Sequence, residues 1–185
     1  GVDTFVTSKI SWNDTNQIPY DTFNWYGIDG TPIFSYFLTA QDRFKDKKPV
    51  RYSTYVSYTD VPHIAGTWDR YQQKELNDQA ILTFGFGDGG GGPTSDMLEK
   101  MRRAEKGLPN APNAKIGTVT EFVSHLKENC KGKRVPEIMG ELYLEFHRGT
   151  YTNIAKNKKN NRKGEFVLQN AETFSALSEH LGVGV

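Results

Sequence analysis

At 185 residues the chain has room for one domain, or for one domain and a piece of a second, and its 36% hydrophobic and 24% charged content is ordinary for a water-soluble globular protein. A formal net charge of +1 without a long Lys/Arg block excludes a polyelectrolyte surface built for nucleic acid, and the densest basic run, Lys156 to Lys163, reads as a solvated helix face. No apolar run approaches the roughly 18 residues of a membrane span, and the single cysteine, Cys130, excludes an internal disulfide and a cysteine metal cluster, which fits a reducing cytoplasmic setting.

The first residues contain no basic segment leading into an apolar one and read directly as a buried strand, Thr4–Ile10, so the chain is expected to begin partway through a larger protein. Up to Gly92, short runs rich in aromatic and β-branched residues alternate with turn clusters. Ile33, Phe34, Phe37 and Leu38 recur at helical spacing and predict a helix over Gly30–Arg43. A strand over Ser53–Tyr58, a helix over Thr67–Asn77 and a strand over Ala80–Phe86 follow. This order of strands and helices predicts a parallel sheet with crossover helices. Thr94 caps the next helix, whose apolar stripe is Met97, Met101 and Ala104. Its first turn holds Asp96, its end Arg102, Arg103 and Lys106, and Gly107 stops it. LPNAPNAK (108–115) is a loop, and Thr118-Val119-Thr120-Glu121 is a capping box for a helix that buries Phe122, Val123 and Leu126. Residues 140–146 alternate as a strand. From Thr152 to Leu181 the chain is compatible with one helix, with a near-heptad stripe of Val167, Ala171, Phe174, Leu177 and Leu181. A stripe of that kind packs against partner helices, so the chain is expected to stop in the first helix of a bundle.

Three strand ends gather chemistry. In LTFGFGDGGGGPT (82–94) one carboxylate, Asp88, sits in bare backbone after a strand, where glycines tolerate positive φ and let a ligand approach closely. The plainer reading is a flexible turn with a solvated aspartate. A phosphate cradle is weaker: no Gly-Lys-Ser/Thr follows, and Asp88 would repel phosphate. Asp60, in Tyr58-Thr59-Asp60-Val61-Pro62-His63, holds the equivalent place after strand 53–58, with an Asx turn before the proline as its ordinary reading. The third end is Glu145-Phe146-His147-Arg148-Gly149-Thr150-Tyr151. Carboxylates, imidazoles and aromatic rings at three strand ends suit a sugar, whose hydroxyls hydrogen-bond to carboxylates and whose apolar faces stack on rings.

FGFGDGGGGPT (84–94), GELYLEFHRGTYT (140–152) and the later Lys159, Asn161, Arg162 and Glu165, supported by TDVPH (59–63), FVTSKISW (5–12) and FNWYGIDGTPIF (23–34), give the chain a resemblance to glycoside hydrolase family 38. The family comprises zinc-dependent retaining α-mannosidases, and the resemblance is to its cytosolic and bacterial branch. It implies an α/β fold: a partial β/α barrel over residues 1–148, then the first helix of an α-helical bundle over 149–185. It implies a parent enzyme that hydrolyses terminal α-mannosides through a covalent mannosyl-enzyme. Asp88 falls at the acid/base position, Asp60 matches a sugar-binding aspartate with Tyr58 and Thr59 beside it, and His147 falls where distant branches have a subsite tryptophan. Tyr26 matches a position that is arginine in those branches. The family's His-x-Asp metal motif, its nucleophilic aspartate and its last zinc histidine are not in this sequence, so zinc would be held outside this chain and the chain alone is expected to be inactive. The implied partner is an α-mannoside or a mannose-containing oligosaccharide, with no nucleic acid and no membrane; a homo-oligomer is compatible with the sequence. The remaining alternatives are a non-catalytic carbohydrate-binding relative and a nucleotide-binding α/β domain.

Overall fold

The computed structural model describes residues 2–13, 15–40, 53–145 and 154–183. They fall into two compact units that divide between Glu145 and Phe146. The domain boundary expected at residue 148 lies outside the described residues.

Among the described residues the first unit holds a four-stranded sheet: β1 (Thr4–Thr7), β2 (Thr22–Tyr26), β3 (Pro32–Phe37) and β4 (Glu137–Met139), in the order β1-β3-β2-β4. The α/β class stands, but the sheet is mixed rather than all parallel. β3 runs parallel to β1, with Thr7 opposite Phe37, and antiparallel to β2, with Tyr26 opposite Pro32; β4 is parallel to β2. The cause is local. Gly27 N–H donates to Thr31 O and Gly30 N–H to Gly27 O, while Thr31 N–H donates to the Asp29 carboxylate at 3.0 Å and Gly30 takes φ +79°. A turn this tight joins antiparallel neighbours, because a parallel pair needs a long crossover.

β3 replaces the first part of the helix expected over Gly30–Arg43. Phe34, Tyr36 and Leu38 alternate into one core while Ser35 and Phe37 face the other side, where Phe37 meets Phe23 edge-on at 5.1 Å between ring centres. A strand buried on both faces shows a continuous apolar run, and such a run can be mistaken for a helix stripe.

The next helix also moves. α1 spans Val61–Arg70 rather than Thr67–Asn77, with Asp60 at its N-cap and Pro62 in its first turn, where the missing N–H costs no intrahelical bond. Of strands 53–58 and 80–86 the structure keeps a parallel bridge, Ser57 opposite Phe84, with Ser57 N–H donating to Thr83 O at 2.9 Å. The strand expected over 140–146 lies earlier, as β4, and ends where Gly140 turns the chain at φ +120°.

α2 (Ser95–Ala104) and α3 (Val119–Cys130) form as their caps predict. Thr94 accepts from Met97 N–H, and Thr118 and Glu121 complete both bonds of the capping box. α3 lies over the sheet: Tyr36, Leu38, Tyr71, Leu76, Phe122, Leu126 and Cys130 make one core, and Ile64, Met101 and Ala104 centre a second beneath α1 and α2. Burial raises the phenols of Tyr36 and Tyr71, and Tyr71 shares a 2.7 Å hydrogen bond with Thr22. Burial also pushes the Cys130 thiol up. Gln73 is 4% exposed, and its Oε1 accepts from Asp21 N–H at 2.6 Å and Thr22 N–H at 3.0 Å while its Nε2 donates to Pro19 O. It thereby fixes where β2 starts.

In the second unit α4 runs from Ala155 to His180, within the stretch expected to be helical, and Val167, Phe174, Leu177 and Leu181 on its apolar stripe are exposed. No helix among the described residues is long and apolar enough to cross a membrane.

Candidate functional site

The bridge between Ser57 and Phe84 decides what its two segments present. Because they run parallel, the residues that follow, up to Asp60 on one and Asp88 on the other, leave the bridge at the same end. Just past Phe84 the glycines fold into a closed loop. Gly91 N–H donates to Phe86 O at 2.7 Å and Gly90 N–H to Gly87 O at 3.1 Å, around a 3₁₀ turn over Gly87–Gly89. Gly85 is required by geometry, with φ +118° and a Cβ position 3.0 Å from Pro93 N, whereas at Gly91 a Cβ would lie 3.1 Å from the Phe86 Cβ and force a small shift. Gly89 and Gly90 instead have open space where a Cβ would stand. The Asp88 carboxylate, between Gly87 and Gly89, is exposed.

Asp88 is held from one side. The Tyr55 hydroxyl donates to Asp88 Oδ1 at 2.7 Å, and the carboxylate beside it raises the Tyr55 phenol above its ordinary value, first through that bond and then through its charge. Lys9, just beyond β1, places its ammonium 5.8 Å from the centre of the Tyr55 ring and equally far from that of Trp12, whose indole N–H donates to Ser53 O.

Asp60 stands at the N-cap position of α1, where its side chain makes no capping hydrogen bond, and reaches across to α2. Lys100 Nζ lies 2.8 Å from Asp60 Oδ1 and 2.8 Å from Asp96 Oδ2, and these carboxylates raise the Lys100 ammonium. His63 Nδ1 is 3.9 Å from the other Asp60 oxygen, and its ring lies 5.6 Å from that of Tyr58. Thr59 is buried, and its hydroxyl donates to Met97 O at 3.2 Å, tying the segment to α2.

Tyr26 is not brought to this group. It stands opposite Pro32 at the start of β3, whereas Lys9 follows Thr7 at the finish. Its phenol, raised first by desolvation and then by Glu137, donates to Glu137 Oε1 at 3.2 Å. His147 lies outside the described residues. Glu145, from the same sequence cluster, accepts from Thr15 N–H and Asn16 N–H and so holds a loop. Tyr55 and Lys100 were not singled out in the sequence. The spacing of Asp96 and Lys100 announces their helix-face pair, but nothing in the sequence announces that Asp60 or Asp88 is the other partner. Among the described residues no three His, Cys, Asp or Glu side chains are grouped so as to hold a metal ion.

The description "Glycosyl hydrolases family 38 N-terminal domain" matches residues 1–141. The chain is 37% identical over 188 aligned residues to a Saccharomyces cerevisiae protein named "Alpha-mannosidase", covering 98% of this chain and 16% of that one. It is 34% identical to "Alpha-mannosidase G" of Dictyostelium discoideum, covering 97% of this chain and 15% of that one, and 32% identical to human "Alpha-mannosidase 2C1", covering 96% and 16%. The chain thus spans about one sixth of the length of these relatives, as the 15% and 16% shares state. With the family description matched over most of its length and the alpha-mannosidases aligned along nearly all of it, the chain belongs to glycosyl hydrolase family 38.

Proposed function

We propose that this chain is part of a retaining α-mannosidase that releases terminal α-mannose through a covalent mannosyl-enzyme, with Asp88 as its acid/base. The observation that carries the reading is Asp88 itself: an exposed carboxylate, followed by Gly89 and Gly90 with open space where a side chain would stand, and with one oxygen held by Tyr55. The other oxygen gives its proton to the glycosidic oxygen as the bond to the anomeric carbon breaks, and the bond's electron pair stays on the leaving oxygen. In the second half-reaction the same oxygen takes a proton from the water that cleaves the mannosyl-enzyme. The nucleophilic carboxylate comes from another part of the longer enzyme.

Asp60 hydrogen-bonds to mannose hydroxyls, oriented by Lys100, with Tyr58 beside it; a substrate contact by His147, which lies outside the described residues, is proposed on the resemblance alone. Thr59 serves by anchoring Asp60 to α2, and Tyr26 lies at a more distant part of the sheet. Zinc is proposed as the complete enzyme's metal, held by residues outside this chain, and no step above passes through it. The helical stripe of α4 is proposed to open a bundle, and the enzyme to work in the cytoplasm.

The test is mannose release by the complete protein from alkyl α-mannosides, whose leaving groups need protonation. Asp88→Asn lowers that rate by about 10²-fold or more, and an unchanged rate removes the acid/base assignment. Elemental analysis of the complete protein reads the metal, and the 185-residue chain alone releases no mannose.

A further inference from the structure

We infer that Tyr55 is a positioning residue that decides which oxygen of Asp88 carries the transferable proton. This rests on the acid/base reading of Asp88. The Tyr55 hydroxyl lies 2.7 Å from Asp88 Oδ1. Toward the ionised carboxylate a phenol that keeps its proton can only donate, so in that state Oδ1 is engaged as the acceptor, which disfavours protonation there. Proton traffic is left to Oδ2. The Tyr55 phenol is raised by the neighbouring carboxylate, which keeps its own proton in place at neutral pH.

The surroundings fit a fixed donor. Gly87 packs on the segment that carries Tyr55: a Cβ there would fall 3.1 Å from Val56 Cγ1 and 3.8 Å from the Tyr55 ring. The segment is pinned on both sides of Tyr55, by Trp12 Nε1 on Ser53 O at 2.8 Å and by Ser57 N–H on Thr83 O at 2.9 Å, and Lys9 lies over the ring. Asp88, by contrast, has glycines on both sides in the chain, so no adjacent side chain limits its rotamer. The orientation of its carboxylate is therefore set by Tyr55 and not by its own loop.

In the reaction, the proton on Oδ2 passes to the leaving oxygen while Tyr55 still donates to Oδ1. Oδ2 then recovers a proton from the attacking water, and Tyr55 neither gains nor loses one. A misplaced acid penalises only those leaving groups that need its proton.

Tyr55→Phe, made in the complete protein, is therefore assayed on a dinitrophenyl α-mannoside and on methyl α-mannoside, with Asp88→Asn alongside. The expected result for Tyr55→Phe is a loss of about 10-fold or more in kcat/KM on the methyl glycoside and less than about 3-fold on the dinitrophenyl one, a weaker copy of the Asp88→Asn pattern. Equal losses on both substrates, or none on the methyl glycoside while Asp88→Asn is impaired, overturn the role of Tyr55 and leave that of Asp88 intact. Full activity of Asp88→Asn on the methyl glycoside, or no hydrolysis of either substrate by the unaltered protein, overturns both. If Tyr55→Phe does not fold, a crystal structure of the unaltered complete protein with a bound mannoside decides. One Asp88 oxygen within about 3 Å of the Tyr55 hydroxyl and the other facing the glycosidic oxygen supports the inference, and a separation beyond about 4 Å from that hydroxyl overturns it.

Discussion

Gln73 is a polar side chain inside an apolar core, and its three hydrogen bonds are the reason it can be there. Removing it leaves the buried N–H groups of Asp21 and Thr22 without their acceptor, at about 1–3 kcal/mol for each unsatisfied group. Gln73→Ala is accordingly expected to lower unfolding stability by about 2–4 kcal/mol in a denaturant titration. A loss below about 1 kcal/mol would mean that water replaces the amide without strain. Lys100 is the opposite case. Its two ion pairs are exposed, and such pairs add little stability, so their consequence is the direction in which Asp60 points. Neither role was legible in the sequence. Gln73 stands in Tyr71-Gln72-Gln73-Lys74-Glu75, which looks like a solvated helix end, and its partners are more than 50 residues away along the chain.

At the scale of elements, legibility followed the range of the interactions that make each one. α2 and α3 are set by caps and by stripes within a dozen residues, and the sequence names both. β3 owes its form to burial between two layers, which local periodicity does not report. The Asp29-Gly30 pair in the Gly27–Thr31 turn is a hairpin signal that the helix reading of the residues behind it does not use. The capping box of α3 also carries a pH dependence. Thr118 N–H and the Thr118 hydroxyl both reach the Glu121 carboxylate, and these bonds hold its pKa below the usual glutamate value. A carboxyl lowered in the folded state stabilises it above the unfolded pKa, near ~4.3, and that contribution fades as pH falls through the lowered folded value. Amide exchange protection in the first turn of α3 should therefore weaken in that acidic window. Glu121→Gln should flatten the dependence, and an unchanged pH profile in that variant would assign it to another group.

For the whole molecule, the site depends on a meeting of distant segments. One parallel bridge sends the segments of Asp60 and Asp88 out at the same end, Tyr55 reaches Asp88, Lys9 lies over the Tyr55 ring from β1's end, and Lys100 reaches Asp60 from α2. The resemblance named the carboxylates because they sit in long motifs, whereas their supports sit in ordinary sequence. The core that holds this arrangement also contains Cys130, on the last turn of α3 and 7% exposed. Because the sequence has no other cysteine, Cys130 is a built-in chemical clock for this segment. An alkylating reagent can reach its sulfur only when α3 lifts from the sheet, and as long as the thiol is packed away burial also disfavours the reactive thiolate. Peptide mapping of the complete protein should find alkylation at Cys130 about 100-fold or more slower than in an unfolded chain, accelerating as denaturant opens the core. Rapid labelling under native conditions would show that α3 detaches far more readily than its packing implies. The rate at that one sulfur thus times the opening of the layer that backs the sheet, without any probe being added to the protein.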